Sequence, residues 1–294
     1  TCATLGLLRE GAAWLEPDSA SPQQLHRLLP DPANANALSH GWVVAIAQAQ
    51  ADQIWLGTAG GGINIVNARD GKLIQHVRAN PGSNSSLAHD TIVPLLRDRA
   101  GLMWVGSWGG GLQHGNPQNR MVRAFWRNPV RPPGSNLQDA RAMLERRDGS
   151  IVLGSIGNGV KQLDLASGTI LPLRSGGNQA LQNATILTLA EGADGTLWAG
   201  TKESGVWRWP PGAADWQTTR GLPGHQVNKL LFDRRGDLWA ATGSGVARWR
   251  RGSGQFETLD GLDGNRMWAA SFALAEEEAL VRDAVQVVEL GARA

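Results

Sequence analysis

The sequence predicts an all-β protein built from repeated antiparallel sheets, and three observations support this prediction. The first is an apolar stretch with a tryptophan that runs into a glycine-rich turn, Ile54-Trp55-Leu56-Gly57-Thr58-Ala59-Gly60-Gly61-Gly62. The second is its recurrence: the residues that match Thr58 follow at steps of 49, 48, 46 and 41 residues and are Ser107, Ser155, Thr201 and Thr242. The third is the composition, with 38 glycines in 294 residues, which favours many tight turns. Self-similarity at such a period is typical of repeat architectures.

Each repeat contains four predicted strands in a fixed order. An alternating first strand, such as residues 43–46, leads to a polar turn, such as residues 98–101. The tryptophan strand and the glycine turn come next, followed by a third strand at residues 63–66 and a fourth at residues 72–76. Four short strands bounded by Gly, Asp and Asn turns make one antiparallel blade. Several such blades predict a β-propeller.

The repeats account for almost the whole chain. Residues 4–30 match the second, third and fourth strands of a blade, and five complete units begin near residues 38, 87, 137, 181 and 222. A sixth unit begins near residue 262, with predicted strands at 267–275, 279–282 and 284–290. We predict a single domain over residues 1–294 with seven blades and an imperfect seam. Six blades closed by the N-terminal strands is the alternative.

Charge and cysteine content exclude several classes of site. Lys and Arg number 28 and Asp and Glu 26, a net charge of +2, so a nucleic-acid partner is not predicted. Cys2 is the only cysteine, which excludes an internal disulfide and a cysteine-based metal site. The sequence has no apolar run of about 18 residues, so we expect no membrane contact by this segment. No cofactor and no metal are predicted.

The repeat resembles that of two-component regulator propellers. The resemblance lies in the pattern apolar-Trp-apolar-Gly-Thr, two variable residues and Gly-Gly-apolar, in the Asp-x-x-Gly turns that begin at Asp98 and Asp233, and in the linker at residues 80–87. It implies a periplasmic sensor segment of a bacterial hybrid histidine kinase or diguanylate cyclase, excised from a longer protein and without enzymatic activity of its own. It also implies an oligosaccharide or small-molecule ligand, and a second propeller or a homodimer partner.

The residues that repeat are predicted to be structural. Trp55, Trp104, Trp198 and Trp239 have apolar neighbours, so we expect them to pack sheet against sheet. The hydroxyls that follow them are expected to bond to the turn backbone; they belong to Thr58, Ser107, Ser155, Thr201 and Thr242. The glycines are expected to supply positive φ in that turn.

The residues that vary are the candidates for ligand binding. In a propeller, the loops that enter the first strand and those between the second and third strands share one face, and this face commonly binds ligands. Trp108, beside three glycines, is the leading candidate for stacking on a hydroxyl-rich ligand. The predicted ligand-binding set is His40, Trp42, His89, Trp108, Arg141, Lys202, Glu203, His225, Arg266 and Trp268. For His40 and His89 a structural hydrogen bond to the turn is the other interpretation, and for Trp108 it is loop packing.

Two other functions are compatible with the sequence. A propeller hydrolase or lyase would need carboxylates on the loop face, and Asp90, Asp139 and Glu203 are the candidates. A protein-interaction scaffold would instead show a large, flat apolar rim.

Overall fold

The computed structural model describes residues 3–7, 11–15, 25–80, 86–118, 121–124, 140–165, 169–173, 181–233 and 235–259. These residues form strands and turns with almost no helix. The chain divides into two compact units, residues 1–140 and residues 141–294. Each unit is described by itself below.

Unit 1 contains three sheets. Sheet 1 has three strands, β1 (Ala3–Leu7), β2 (Gly11–Leu15) and β3 (Leu25–Leu28). Sheet 2 has four, β4 (Val43–Gln50), β5 (Gln53–Thr58), β6 (Ile63–Asn67) and β7 (Leu73–Val77). Sheet 3 also has four, β8 (Ile92–Arg97), β9 (Met103–Ser107), β10 (Gly111–Asn116) and β11 (Met121–Ala124).

Unit 2 contains three four-stranded sheets, the first of which starts at the last residue of unit 1. Sheet 4 consists of β12 (Ala140–Glu145), β13 (Ile151–Ser155), β14 (Val160–Asp164) and β15 (Thr169–Pro172). Sheet 5 consists of β16 (Ile186–Glu191), β17 (Leu197–Thr201), β18 (Val206–Trp209) and β19 (Gln217–Thr218). Sheet 6 consists of β20 (Val227–Phe232), β21 (Leu238–Thr242), β22 (Gly245–Trp249) and β23 (Glu257–Thr258).

In every sheet, strands that follow one another in sequence are neighbours, and all resolved pairings are antiparallel. This is the strand order of a propeller blade. The prediction of an all-β propeller class, with three N-terminal strands and five complete units, is confirmed. The strands predicted after residue 260 lie outside the described residues. The number of blades and the single domain remain predictions.

The second strand of each four-stranded sheet is buried along its whole length. A strand covered on both faces needs apolar or small side chains at every position, which explains why the repeat does not alternate there. The four tryptophans have exposed fractions of 0, 2, 5 and 1% at Trp55, Trp104, Trp198 and Trp239. Their predicted role in sheet-on-sheet packing is confirmed.

The glycine before the repeated hydroxyl lets adjacent sheets approach closely. A Cβ atom on Gly200 would lie 2.5 Å from Thr188 Cγ2 in its own sheet and 2.7 Å from Val227 Cγ1 in sheet 6. Gly57 is enclosed in the same way by Ala45 and Ile92. Glycine is therefore required there by space, in addition to the positive φ of the turn glycines, such as +72° at Gly62.

The repeated hydroxyls bond to the turn backbone in four of the five repeats, as predicted. Thr58 Oγ1 donates to the carbonyl of Gly62 at 3.0 Å and accepts from the Gly61 amide at 2.9 Å. The hydroxyls of Ser155, Thr201 and Thr242 make the matching bond to the backbone. Ser107 is the exception: its Oγ is buried and finds no hydrogen-bond partner among the described residues.

The Asp-x-x-Gly turn holds the indole of the same repeat. Trp104 Nε1 donates to Asp98 Oδ2 at 2.7 Å, and Trp239 Nε1 donates to Asp233 Oδ2 at 2.9 Å. The other carboxylate oxygen of Asp98 accepts the Leu102 amide at 2.8 Å. One carboxylate thus satisfies a buried indole and closes the turn, because a buried N–H without a partner is costly.

Sheet 4 has lost both members of this pair. Val152 stands at the tryptophan position, and Arg146 stands six residues before it, where Asp98 precedes Trp104. Without an indole N–H no acceptor is needed. Arg146 bonds instead to the next sheet, with Nε donating to Glu191 Oε1 at 3.2 Å.

We predict that Asp98→Ala and Asp233→Ala each lower the free energy of unfolding by about 1–3 kcal/mol, because each leaves a buried indole N–H without an acceptor. Asp148→Ala is the matched control. It removes an exposed turn aspartate from sheet 4 that accepts bonds from Ser150 and not from an indole, so it should cost less, about 0.5–1 kcal/mol. Urea denaturation measures all three, and equal losses would contradict the assigned role.

Candidate functional site

Two sets of segments meet at one end of the sheets in unit 1. We call the residues before a first strand the lead-in and the turn between the second and third strands the inner turn. The Ala59 amide donates to the carbonyl of Trp42 at 2.9 Å, and the Gly62 amide donates to the carbonyl of Asp90 at 2.8 Å. The inner turn of sheet 2 is therefore held between its own lead-in and that of sheet 3.

The next inner turn continues this row. Ala59 forms an antiparallel bridge with Thr91, and the Trp108 amide donates to the Thr91 carbonyl at 3.0 Å. Trp42, Ala59, Thr91 and Trp108 thus lie side by side in that order. We call the lead-ins and inner turns that carry His40, Trp42, His89 and Trp108 the unit 1 loop cluster. The structure brings these four predicted residues together.

Unit 2 repeats the arrangement. The Lys202 amide donates to the Thr185 carbonyl at 3.0 Å, and the Gly205 amide donates to the carbonyl of His225 at 2.9 Å. Lys202 and Glu203 are exposed in this inner turn, with Nζ and Oε1 4.0 Å apart. His225 is exposed as well, so these three predicted residues lie on neighbouring segments.

The remaining predicted residues have other locations. Arg141 lies half-buried on β12, inside the sheet rather than in its lead-in. Arg266 and Trp268 lie outside the described residues.

The two lead-in histidines of unit 1 each accept a hydrogen bond from a backbone amide of their own lead-in. His40 Nδ1 accepts the Trp42 amide at 3.0 Å, and His89 Nδ1 accepts the Thr91 amide at 2.9 Å. Because Nδ1 accepts, the ring proton lies on Nε2, and that N–H is the group each imidazole can offer to a ligand. The structural interpretation of the two histidines is confirmed, and ligand contact through Nε2 stays a prediction.

Trp108 differs from the repeated tryptophans in its exposure. Its side chain is 55% exposed, and it is the one aromatic among the exposed large apolar residues of the described chain. A Cβ atom on Gly109 would meet nothing within 4 Å, so the turn is open at the residue that follows Trp108. The backbone bond to Thr91 fixes the main chain beneath the ring. An exposed indole on a held turn can stack against the apolar face of a ligand.

The carboxylates proposed for a catalytic alternative are not equivalent. Asp90 Oδ1 accepts the Ala79 amide at 2.7 Å, which ties the end of sheet 2 to the lead-in of sheet 3. Glu203 is exposed beside Lys202, and Asp139 lies outside the described residues. Asp90 therefore has a structural task, and the described residues bring no second carboxylate of the three beside it.

One lysine on a first strand has a lowered pKa. The cause is desolvation of Lys229, which is half-buried on β20. The matching position is small or apolar in other sheets, at Ala45 and Pro94, and carries Thr188 in sheet 5. The first strand of sheet 6, which follows the His225 lead-in, thus carries a lysine with a reduced tendency to be protonated.

Sequence reasoning missed a cleft in unit 2, along the third and fourth strands of sheet 4. It has a volume of about 360 Å³ and lies between sheets 4 and 5. Arg146, Gln162, Asp164 and Leu171 line it from sheet 4, and Trp209 lines it from sheet 5. The signal in the sequence was the valine at position 152, where the repeat otherwise has tryptophan.

The described residues offer no group of three or more His, Cys, Asp or Glu side chains that could hold a metal ion. Nor do they contain a helix that is long and apolar enough to span a bilayer.

The sequence matches no protein-family model and no curated protein. Solved structures resemble it in fold. The extracellular domain of BT4673, named a hybrid two-component system of B. thetaiotaomicron, is 20% identical with a TM-score of 0.60 over 83% of this chain and 30% of that one. PorZ, a surface component of the type-IX secretion system of Porphyromonas gingivalis, is 15% identical with a TM-score of 0.59 over 85% of this chain and 38% of PorZ.

Virginiamycin B lyase of Staphylococcus aureus is similar at 14% identity, with a TM-score of 0.53 over 74% of this chain and 69% of the lyase. At these identities the likeness is one of fold. The chain spans about a third of the length of the BT4673 domain and of PorZ. The fold thus occurs in extracellular domains of signalling systems and in an enzyme.

We predict that His89→Ala lowers the free energy of unfolding by about 1 kcal/mol, because the Thr91 amide loses its acceptor. His89→Asn should restore most of the loss, since the asparagine carbonyl can accept the same amide two residues on. Thermal or urea unfolding compares the two variants. If both variants lose the same stability, the Nδ1 bond is not what holds this lead-in.

Proposed function

We propose that this chain is the ligand-sensing part of an extracytoplasmic bacterial signalling protein and that the unit 1 loop cluster binds a small molecule or an oligosaccharide. The observation that carries the proposal is the exposed indole of Trp108, on a turn whose main chain is bonded to the Thr91 carbonyl. The extracytoplasmic location draws support from the similarity in fold to the extracellular domains of two-component systems.

The chemistry of the loop cluster suits a hydroxyl-rich ligand. The indole of Trp108 offers an apolar face, and the Nε2–H groups of His40 and His89 offer neutral donors nearby along the same row of segments. A sugar ring presents an apolar face and a rim of hydroxyls, and it needs this combination of an aromatic plane and a few placed polar groups.

Signalling would follow from a population shift. A ligand that contacts two neighbouring inner turns and a lead-in favours whichever arrangement of these segments it contacts best. A second propeller, or a second copy of the chain, that packs against this one would respond to the arrangement that the ligand favours. The output domain would lie elsewhere in the full protein.

We expect Trp108→Ala to weaken binding of a glycan identified from an oligosaccharide panel by about tenfold or more, the equivalent of about 1.4 kcal/mol. Leu29→Ala is the matched control, because Leu29 is 50% exposed in the same unit but lies outside the loop cluster. His89→Asn should keep the fold, because the asparagine carbonyl can still accept the Thr91 amide. It should weaken ligand binding, because it removes the imidazole ring with its Nε2–H. Titration calorimetry measures all three.

Unchanged affinity in Trp108→Ala would remove the loop cluster from the ligand site. The same samples, assayed for cleaved product, test the hydrolase or lyase alternative. Turnover that disappears in Glu203→Gln would favour an enzyme over a sensor.

A further inference from the structure

Sheet 4 lacks the second-strand tryptophan that sheet 5 packs against sheet 6. Trp198, in the second strand of sheet 5, packs edge-on against Trp249 of sheet 6, with ring centroids 5.1 Å apart. Trp209 is the residue of sheet 5 that matches Trp249, because Leu197 pairs with Trp209 as Leu238 pairs with Trp249. The residue that should meet Trp209 from sheet 4 is Val152.

The residues beside Val152 in the strand register line the cleft. Val152 pairs with Gln162 on β14, and Gln162 pairs with Leu171 on β15. Gln162 and Leu171 both line the cleft, together with Trp209 from the facing sheet. The cleft has an open volume of about 360 Å³, within the range of small-ligand sites.

The aromatic wall of the cleft is held in place. Trp209 Nε1 donates to the Ala213 carbonyl at 2.9 Å, and the ring packs against the buried Trp216 at a centroid distance of 5.9 Å. Leu171 is 51% exposed on the sheet 4 side. A fixed indole from one sheet and an exposed aliphatic side chain from the other provide two apolar surfaces for a ring.

The polar groups of the cleft favour a neutral ligand. Arg146 Nε bonds to Glu191 at 3.2 Å, and its Nη1 lies 3.5 Å from Asp148. Donation from Ser150 lowers the pKa of Asp148, which keeps that carboxyl ionised. The cleft itself is lined by this one guanidinium and by one carboxylate, that of Asp164, and the guanidinium is already paired with Glu191. An anion gains little here, whereas the carboxamide of Gln162 and the carboxylate of Asp164 can bond to hydroxyls.

We propose that this cleft is a second ligand site that takes one pyranose ring of a neutral saccharide, stacked on Trp209 with its hydroxyls toward Gln162 and Asp164. In this sheet the third complete repeat carries Val152 and Arg146, where sheets 3 and 6 have the indole–carboxylate pair. The site does not depend on the unit 1 loop cluster.

The test uses the whole chain and a panel of neutral disaccharides, maltose, cellobiose, lactose and mannobiose, with galacturonic acid as the charged comparison. Saturation-transfer NMR and calorimetry measure binding. At least one neutral disaccharide should bind, and Trp209→Ala and Gln162→Ala should each weaken it about tenfold. Trp108→Ala should leave this binding unchanged, which separates the cleft from the loop cluster.

The sharpest variant introduces into sheet 4 the pair that sheets 3 and 6 contain. Arg146→Asp with Val152→Trp should block the cleft and abolish binding, and circular dichroism checks that the variant keeps its sheet fold. If the double variant fails to fold, the loss of binding in Gln162→Ala provides the test instead. The proposal is overturned if no neutral disaccharide binds, if galacturonic acid binds better, if binding survives in the folded double variant or in Gln162→Ala, or if Trp108→Ala alone abolishes it.

Discussion

Burial of the second strand on both faces is the constraint on which the rest of each unit depends. A strand between two neighbouring sheets cannot alternate polar and apolar residues, so β5, β9, β13, β17 and β21 are buried throughout. Its largest side chain must also fit between the sheets, and in sheets 3 and 6 an aspartate accepts the indole N–H of that side chain. Asp98 does this for Trp104, and Asp233 does it for Trp239.

This constraint separates structural from functional tryptophans. An indole that fills the space between two sheets has no surface left for a ligand, which is why the repeated tryptophans are poor candidates for recognition. Function is left to the positions where the repeat varies. At position 108 an inner turn carries an indole that the matching turns lack. At position 152 a second strand carries valine where the other repeats have tryptophan. The first change adds an exposed apolar surface, and the second lies beside the cleft, because Gln162, which pairs with Val152, lines it.

Much of the architecture could be predicted because it repeats. The second strands, the role of Trp55 and the turn bonds of Thr58 follow from local patterns that recur along the chain. The lead-in histidines were harder, since a sequence cannot tell whether a histidine beside a turn faces ligand or backbone. The Nδ1 bonds of His40 and His89 to amides two residues on answer that question for one ring nitrogen.

The cleft could not be predicted, because its walls come from different repeats. Val152 looks like an ordinary apolar replacement in its own strand. Its consequence depends on Trp209, which lies in the next sheet and has its ring fixed by Ala213. Sheet 2 illustrates a different outcome: Ala49 replaces the aspartate there, and the buried Nε1 of Trp55 finds no partner among the described residues. Such effects depend on contacts between sheets, which no single repeat encodes.

The most direct measurement is a titration of the ¹⁵N-labelled chain with a bound saccharide, followed through the indole N–H resonances of its 13 tryptophans. If recognition belongs to the variable positions, the signals of Trp108 or Trp209 should shift, and those of Trp55, Trp104, Trp198 and Trp239 should stay in place. Shifts concentrated in these four buried indoles, with Trp108 and Trp209 unmoved, would contradict the account.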